Sequence, residues 1–122
     1  MERAPGGDRQ CGTVTLAGNI TADLNDNMLE VKDNVNVTLD LNGHTLNRNL
    51  NAADADGHVI IVNAGGNLTI KDSSYSQDGT ITGGWANHGG GINNKGTLTI
   101  EGGNITGNHV SGSENSGQGA GI

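Results

Sequence analysis

The chain has no phenylalanine, and Tyr75 and Trp85 are its only aromatic residues. Apolar residues make up 32% of its 122 positions, which is thin material for the two-layer core of an ordinary globule. Pro5 is the one proline. Cys11 is the one cysteine, which excludes an internal disulfide and a cysteine-built zinc site. Basic residues are few: six Lys and Arg, scattered along the chain, face thirteen Asp and Glu, for a net charge of −7. A surface of that kind is poorly suited to a phosphate backbone, so no nucleic-acid partner is expected. No apolar run reaches the length of a membrane span, so no membrane insertion is expected. The opening MERAPGGDRQ has no apolar h-region, so the sequence itself shows no signal peptide.

What the chain does have is glycine, 22 residues of it, and a repeat. Glycine does not recur at every third position, so collagen is excluded. It sits instead in Asn-Gly, Asp-Gly and Gly-Gly pairs, which tolerate the positive φ of turns. Between these turns lie short runs rich in Val, Ile, Leu and Thr, which suit strands. Leu98-Thr99-Ile100 repeats Leu68-Thr69-Ile70 thirty residues earlier, and Val37-Thr38-Leu39 lies thirty-one before that. A fixed period in this range predicts an all-β solenoid: a right-handed parallel β-helix of three strands per coil and about three to four coils. No segment carries helical apolar spacing.

The repeat aligns in columns. A first strand places Val31, Ile61, Ile92 and Ile122 inward, with Leu29, Val59, Gly90 and Ala120 two residues before them. A second strand places Val37, Leu68 and Leu98 inward, then Leu39, Ile70 and Ile100. Thr38, Thr69 and Thr99 face out between them. Asp40, Lys71 and Glu101 form the next outward column, with signs that attract at each step. A third, shorter strand places Leu46, Ile81 and Ile105 inward. Thr13 to Leu16 and Ile20 to Leu24 are read as earlier strands. Residues 1–11 are expected to be a flexible segment and 12–122 one β-helix domain. The last coil stops at Ile122, and an uncovered strand edge there predicts end-to-end self-association. Long loops, at 48–57, 83–89 and 108–119, leave one side of this frame, where repeat proteins place function.

Three stretches carry a resemblance: VTLDLNGHTL from Val37, GTITGG from Gly79 and GGGINNKGTLTIEGGNITGN from Gly89. They resemble the pectin-lyase-like right-handed parallel β-helix repeats of bacterial cell-surface and adhesin proteins of the Firmicutes type. The resemblance covers residues 12–122. It implies an extracellular or wall-attached parent protein and a structural or adhesive role. The enzymes of that fold are a poorer fit. Their lyases cluster acidic calcium ligands beside an Arg or Lys base, and no aligned columns here supply such a set. Their hydrolases use Asn-Thr-Asp, Asp-Asp and Gly-His-Gly segments, which Asp54-Ala55-Asp56-Gly57-His58 and His88-Gly89 only echo.

The candidate chemistry lies in the loops. Asp54, Asp56 and His58 are the one acid–base-like cluster. Two carboxylates and an imidazole suit proton transfer, and the carboxylates alone are of the type that holds Ca²⁺. The favoured reading of them is a solvated turn ending at Gly57. Trp85 and Tyr75 fall in loops, where an aromatic either stacks on a sugar or lies down over the wall. His44, His58, His88 and His109 sit beside turns with no metal-site spacing. The four Asn-x-Thr triplets, at Asn19, Asn36, Asn67 and Asn104, follow from strand alternation. No cofactor is required. The favoured expectation is a non-enzymatic module that presents loops to a glycan or a host or cell-surface protein, with ligand contacts assigned to Trp85, Tyr75, Asp54, Asp56 and His58. Two others stay open: a carbohydrate-active module that binds or cleaves a polysaccharide, and an excised or engineered solenoid that self-associates.

Overall fold

A computed structural model describes residues 11–23, 28–111 and 121–122. The described residues contain no helix, and all their strand pairings are parallel. The first sheet is made of β1 (Cys11–Thr15), β4 (Asn36–Asp40), β7 (Asn67–Lys71) and β11 (Thr97–Ile100), in that order. The second runs β2 (Ile20–Thr21), β5 (Thr45–Asn47), β8 (Thr80–Thr82) and β12 (Asn104–Ile105). The third holds β3 (Leu29–Val31), β6 (Ile60–Val62) and β10 (Ile92–Asn94). A fourth pairs β9 (Trp85–Ala86) with β13 (His109–Val110). The chain visits the first, second and third sheets in rotation, so neighbours in each sheet belong to successive passages of the chain. The expected segment 1–10, the loop at 25–27 and residues 112–119 of the last long loop lie outside the described residues. Cys11 does not belong with a flexible segment, since it opens β1 opposite Asn36.

The second-strand and third-strand columns stand as the spacing predicts. Val37 pairs with Leu68 and Leu68 with Leu98; Leu39 pairs with Ile70 and Ile70 with Ile100. Leu46 pairs with Ile81, and Ile81 with Ile105. The inner faces of the first three sheets meet in one apolar cluster that includes Leu39, Ile70, Leu46, Ile81, Val31 and Ile60. Burying a side chain of this size contributes roughly 1.5–3 kcal/mol, and strand alternation directs every second one inward.

The first-strand column is out by one residue at β6. Leu29 pairs with Ile60 and Val31 with Val62, not with Val59 and Ile61. The run Val59-Ile60-Ile61-Val62 is apolar at every position and buried throughout. Its pattern has no polar side to choose a register, and a one-residue slip exchanges the two faces. The next step is out by one as well, since Ile92 pairs with Ile60 and not with Ile61; only the last interval, from Ile92 to Ile122, keeps the expected spacing. The Ile92 amide donates to Gly121 C=O at 2.8 Å, the same relation that Ile60 bears to Gly91 at 3.0 Å.

Two further expectations need correcting. The fourth sheet converts Trp85 and His109 from loop residues into strand residues. It escapes the sequence because each of its strands is two residues long and bordered by glycine or asparagine. Asp40 is not a solvent-facing charge: it is buried, and its carboxylate holds backbone rather than serving chiefly as an ion-pair partner. The Asn42-Gly43 turn beside it is as its residues require. Both adopt positive φ, at 49° and 77°, and the His44 amide closes the turn on Leu41 C=O at 2.8 Å.

Candidate functional site

The Asp54–His58 segment connects β5 to β6. Asp54 Oδ1 accepts the Asp56 N–H at 2.9 Å, and the Gly57 N–H donates to Asp54 C=O at 3.0 Å, which closes a compact turn. Two backbone bonds fasten that turn to β9. The Asp54 N–H donates to Trp85 C=O at 3.0 Å, and the Trp85 N–H donates to Gly57 C=O at 2.8 Å. Gly57 is required there, because a Cβ would overlap the Trp85 carbonyl. Asp54 and Asp56 remain exposed.

His58 turns the other way. It is buried, and its Nδ1 lies 3.0 Å from His88 C=O and 3.2 Å from Gly89 C=O. Carbonyls only accept, so Nδ1 carries the hydrogen and donates. Nε2 is then left to accept from Asn93 Nδ2 at 3.4 Å. Among the described residues no hydrogen bond joins this imidazole to either carboxylate. The three members of the sequence-level cluster are therefore neighbours along the chain but are not brought together for proton transfer. No group of three or more His, Cys, Asp or Glu among the described residues converges to hold a metal ion.

Arg48 is the residue that the sequence reading missed. It follows Leu46 by two positions and so faces inward, opposite Ala22 and Gly83 in the neighbouring strands. It is buried, and its Nη1 donates to the carbonyls of Asp56, at 2.9 Å, and of His58. The guanidinium thus ties the 54–58 turn to the second sheet from inside. Gly83 leaves the backbone here no alternative: its φ is 84°, and a Cβ would overlap Asn47 Oδ1. A long cation at an inward position flanked by alanine and glycine was the available signal.

The aromatic candidates separate. Trp85 is half-buried in β9, with its ring 4.8 Å from that of His109 and tilted by 39°. Tyr75 is fully exposed on the 72–79 loop, which is bonded to Asp40 and Gly43 rather than to the Asp54 turn.

That loop is organised by a buried carboxylate. Asp72 Oδ1 accepts from the amides of Gly43 and Ser74, at 3.0 Å each, and from Ser74 Oγ at 2.6 Å; Oδ2 accepts the Gly79 N–H at 2.6 Å. Asp40 does the same one passage earlier, with Oδ1 accepting from Asn42 at 3.0 Å and from Ser73 at 2.9 Å. Burial raises the pKa of both. The hydrogen bonds from Ser74, Gly79 and Gly43 outweigh it at Asp72, and those from Ser73 and Asn42, with the Lys71 charge, outweigh it at Asp40. Both carboxyls are held below their ordinary 3.8.

One open groove of about 370 Å³ crosses the first sheet. It is lined by Thr13, Thr38 and Thr69, by Asn36 and Asn67, and by Gly12 and Val37. These residues come from three adjacent strands, β1, β4 and β7, and none carries a charge. Comparison of the chain with protein-family models, with curated proteins and with solved structures gave no match. Among the described residues no helix is long and apolar enough to cross a membrane.

Proposed function

We propose that the chain is a right-handed parallel β-helix with three principal strands per turn, and that it serves as a non-enzymatic scaffold of an extracellular bacterial surface protein, holding loops out for adhesive contact. The observation that carries this reading is the rotation of the chain through three parallel sheets, with Leu39, Ile70 and Ile100 stacked in one column. Only a chain wound in one sense about a common core meets that pattern economically, and crossovers between parallel strands are overwhelmingly right-handed. A wound stack is stiff along its axis and lengthens by one strand spacing, about 4.8 Å, per turn. Stiffness of that kind suits a spacer. The uncharged groove, without a carboxylate or a basic residue, favours a scaffold over a lyase or hydrolase.

Tyr75, at the tip of a loop braced by Asp72, is the first contact residue assigned. The test has two arms. Small-angle scattering of the chain and of a version with residues 60–91 repeated four more times should give the same cross-section and an axis longer by about 20 Å. Binding to a panel of immobilised glycans and host matrix proteins should weaken in Tyr75→Ala with the melting temperature unchanged. An extended version whose axis does not lengthen in this way would overturn the scaffold, and unaltered binding in Tyr75→Ala would remove that loop from the contact.

A further inference from the structure

We propose that Asp72 is a chemical guard: its carboxylate holds the backbone nitrogens of Gly43 and Gly79, and so keeps Asn42-Gly43 from deamidating and Asp78-Gly79 from isomerising. This holds whether or not the chain is a surface scaffold.

The chain contains one Asn-Gly pair, Asn42-Gly43, and two Asp-Gly pairs, Asp56-Gly57 and Asp78-Gly79. Such pairs are chemically fragile, because a glycine nitrogen has no side chain beside it to hinder attack on the Cγ of the preceding residue. At Asn42 a bond forms between Gly43 N and Cγ, the N–H proton passes to water, and Nδ2 leaves as ammonia. Water then opens the succinimide at either carbonyl, giving aspartate or isoaspartate. At Asp78 the same attack by Gly79 N expels water, and reopening gives aspartate or isoaspartate with no change of mass.

The fold needs these residues where they are. Asn42 and Gly43 both have positive φ, which suits an Asn-Gly pair, and a Cβ on Gly79 would lie 2.5 Å from Leu41 Cβ. Asp72 restrains both glycines at once. Its Oδ1 accepts the Gly43 N–H at 3.0 Å and its Oδ2 accepts the Gly79 N–H at 2.6 Å. Each nitrogen must shed its proton to attack, and doing so beside a carboxylate sets two negative charges together. Each must also swing toward Cγ, which breaks a charge-assisted hydrogen bond. At Asn42 the leaving group is held as well, since Nδ2 donates to Leu16 C=O at 3.2 Å.

The third pair supplies the contrast. The Gly57 N–H donates to a neutral acceptor, Asp54 C=O, at 3.0 Å. Asp56 and Asp78 are both exposed, and Gly57 and Gly79 are both buried. Access of water therefore does not separate the two Asp-Gly pairs, but the charge on the acceptor does. An isoaspartate at position 42 would insert a methylene into the turn and add a carboxylate next to that of Asp40, which accepts the Asn42 N–H. The guard thus also preserves the brace of the loop that carries Tyr75.

The experiment ages the folded 122-residue chain in mildly alkaline buffer. Peptide mapping by mass spectrometry follows deamidation at Asn42 and isoaspartate formation at Asp56 and Asp78. In the parent chain Asp56 should isomerise about tenfold faster than Asp78, the factor expected from one hydrogen bond to a charged acceptor. Asp72→Asn, which is neutral and nearly isosteric, and Asp72→Ala should each raise the rates at Asn42 and Asp78 about tenfold relative to Asp56. Ile70→Ala, which weakens the same sheet without removing either bond, controls for general opening and should leave those ratios at their parent values. The proposal is overturned if the Asp72 variants leave both ratios unchanged, or if Ile70→Ala raises them as much. If neither Asp72 variant folds, the parent chain decides alone, and Asp78 ageing as fast as Asp56 overturns the proposal.

Discussion

The tripeptide Leu-Thr-Ile occurs twice, at 68–70 in β7 and at 98–100 in β11, in the same sheet and in direct register. Leu68 and Ile70 are buried, at 1% and 0% exposure, whereas Leu98 is half-buried and Ile100 is 42% exposed. Identical residues in identical backbone thus contribute differently, because β7 has a described strand on each side and β11 has one. In a stacked sheet a side chain is buried by its neighbours, and sequence alone fixes only which way it points. Ile70→Ala should therefore destabilise the chain by about 4 kcal/mol, through lost burial and the cavity left behind. Ile100→Ala should cost about 1 kcal/mol or less. Urea midpoints compared at unchanged slope measure both. If Ile100→Ala costs as much as Ile70→Ala, and the more so at higher protein concentration, then another copy covers β11 in solution. That outcome would establish the end-to-end association anticipated from the repeat.

The same contrast of covered and uncovered positions applies to carboxylates. Asp72 is buried and holds four donors, while Asp54 is exposed and holds one. Asp72→Ala strands the part-buried amide of Gly43 and the buried amide of Gly79 and should cost about 3 kcal/mol. Asp54→Ala should cost about 0.5 kcal/mol, the usual effect of a surface change. The pH dependence follows in sign. The folded pKa values of Asp40 and Asp72 lie below 3.8, so the stabilisation is fully present above the unfolded value and is lost as pH falls through 3.8 toward the folded values. Stability followed from pH 6 to pH 2 should fall most steeply in that acid range, and Asp72→Asn should flatten the fall.

These cases mark where the sequence was readable. Columns built from apolar residues alternating with Thr, such as Leu39–Ile70–Ile100, fix both face and register, and the structure reproduces them. Val59 to Val62 lacks the alternation, and there the register was read one residue off. Asp40 occupies a position that alternation assigns to solvent, but a carboxylate at a strand end also seeks turn amides, and the Asn42 and Ser73 amides drew it in. Arg48 was hidden for the opposite reason: charge suggested a surface, while its place two beyond Leu46 set it inside. The 54–58 cluster looked like a site because its residues are adjacent in sequence, yet alternation across the turn into β6 sends His58 inward and leaves the carboxylates outside. The neutral groove had no signal as a motif. It exists only once three strands lie side by side.

The aromatics give a smaller contrast of the same kind. Trp85 is half-buried against His109, and Tyr75 touches solvent over its whole surface. Trp85→Ala should lower stability by about 1.5 kcal/mol, from lost area and the ring contact, and Tyr75→Ala should leave it unchanged. Thermal melts of the two variants measure the difference, and equal losses would mean that Tyr75 folds down onto the wall in solution.

The smallest expected effect is the sharpest check on the opening contrast. Thr69 and Thr99 occupy the middle of the two matching tripeptides and face out in both. If burial of the inward residues alone separates β7 from β11, replacing either threonine with valine should change stability by no more than about 0.5 kcal/mol, and by the same amount at both sites. The inward pair would then differ by about 3 kcal/mol and the outward pair by nothing measurable. A larger loss at Thr69 than at Thr99 would show that the outer face of β7 also packs against something. Equal and negligible losses leave that face open to solvent and assign the whole difference between β7 and β11 to the inward residues.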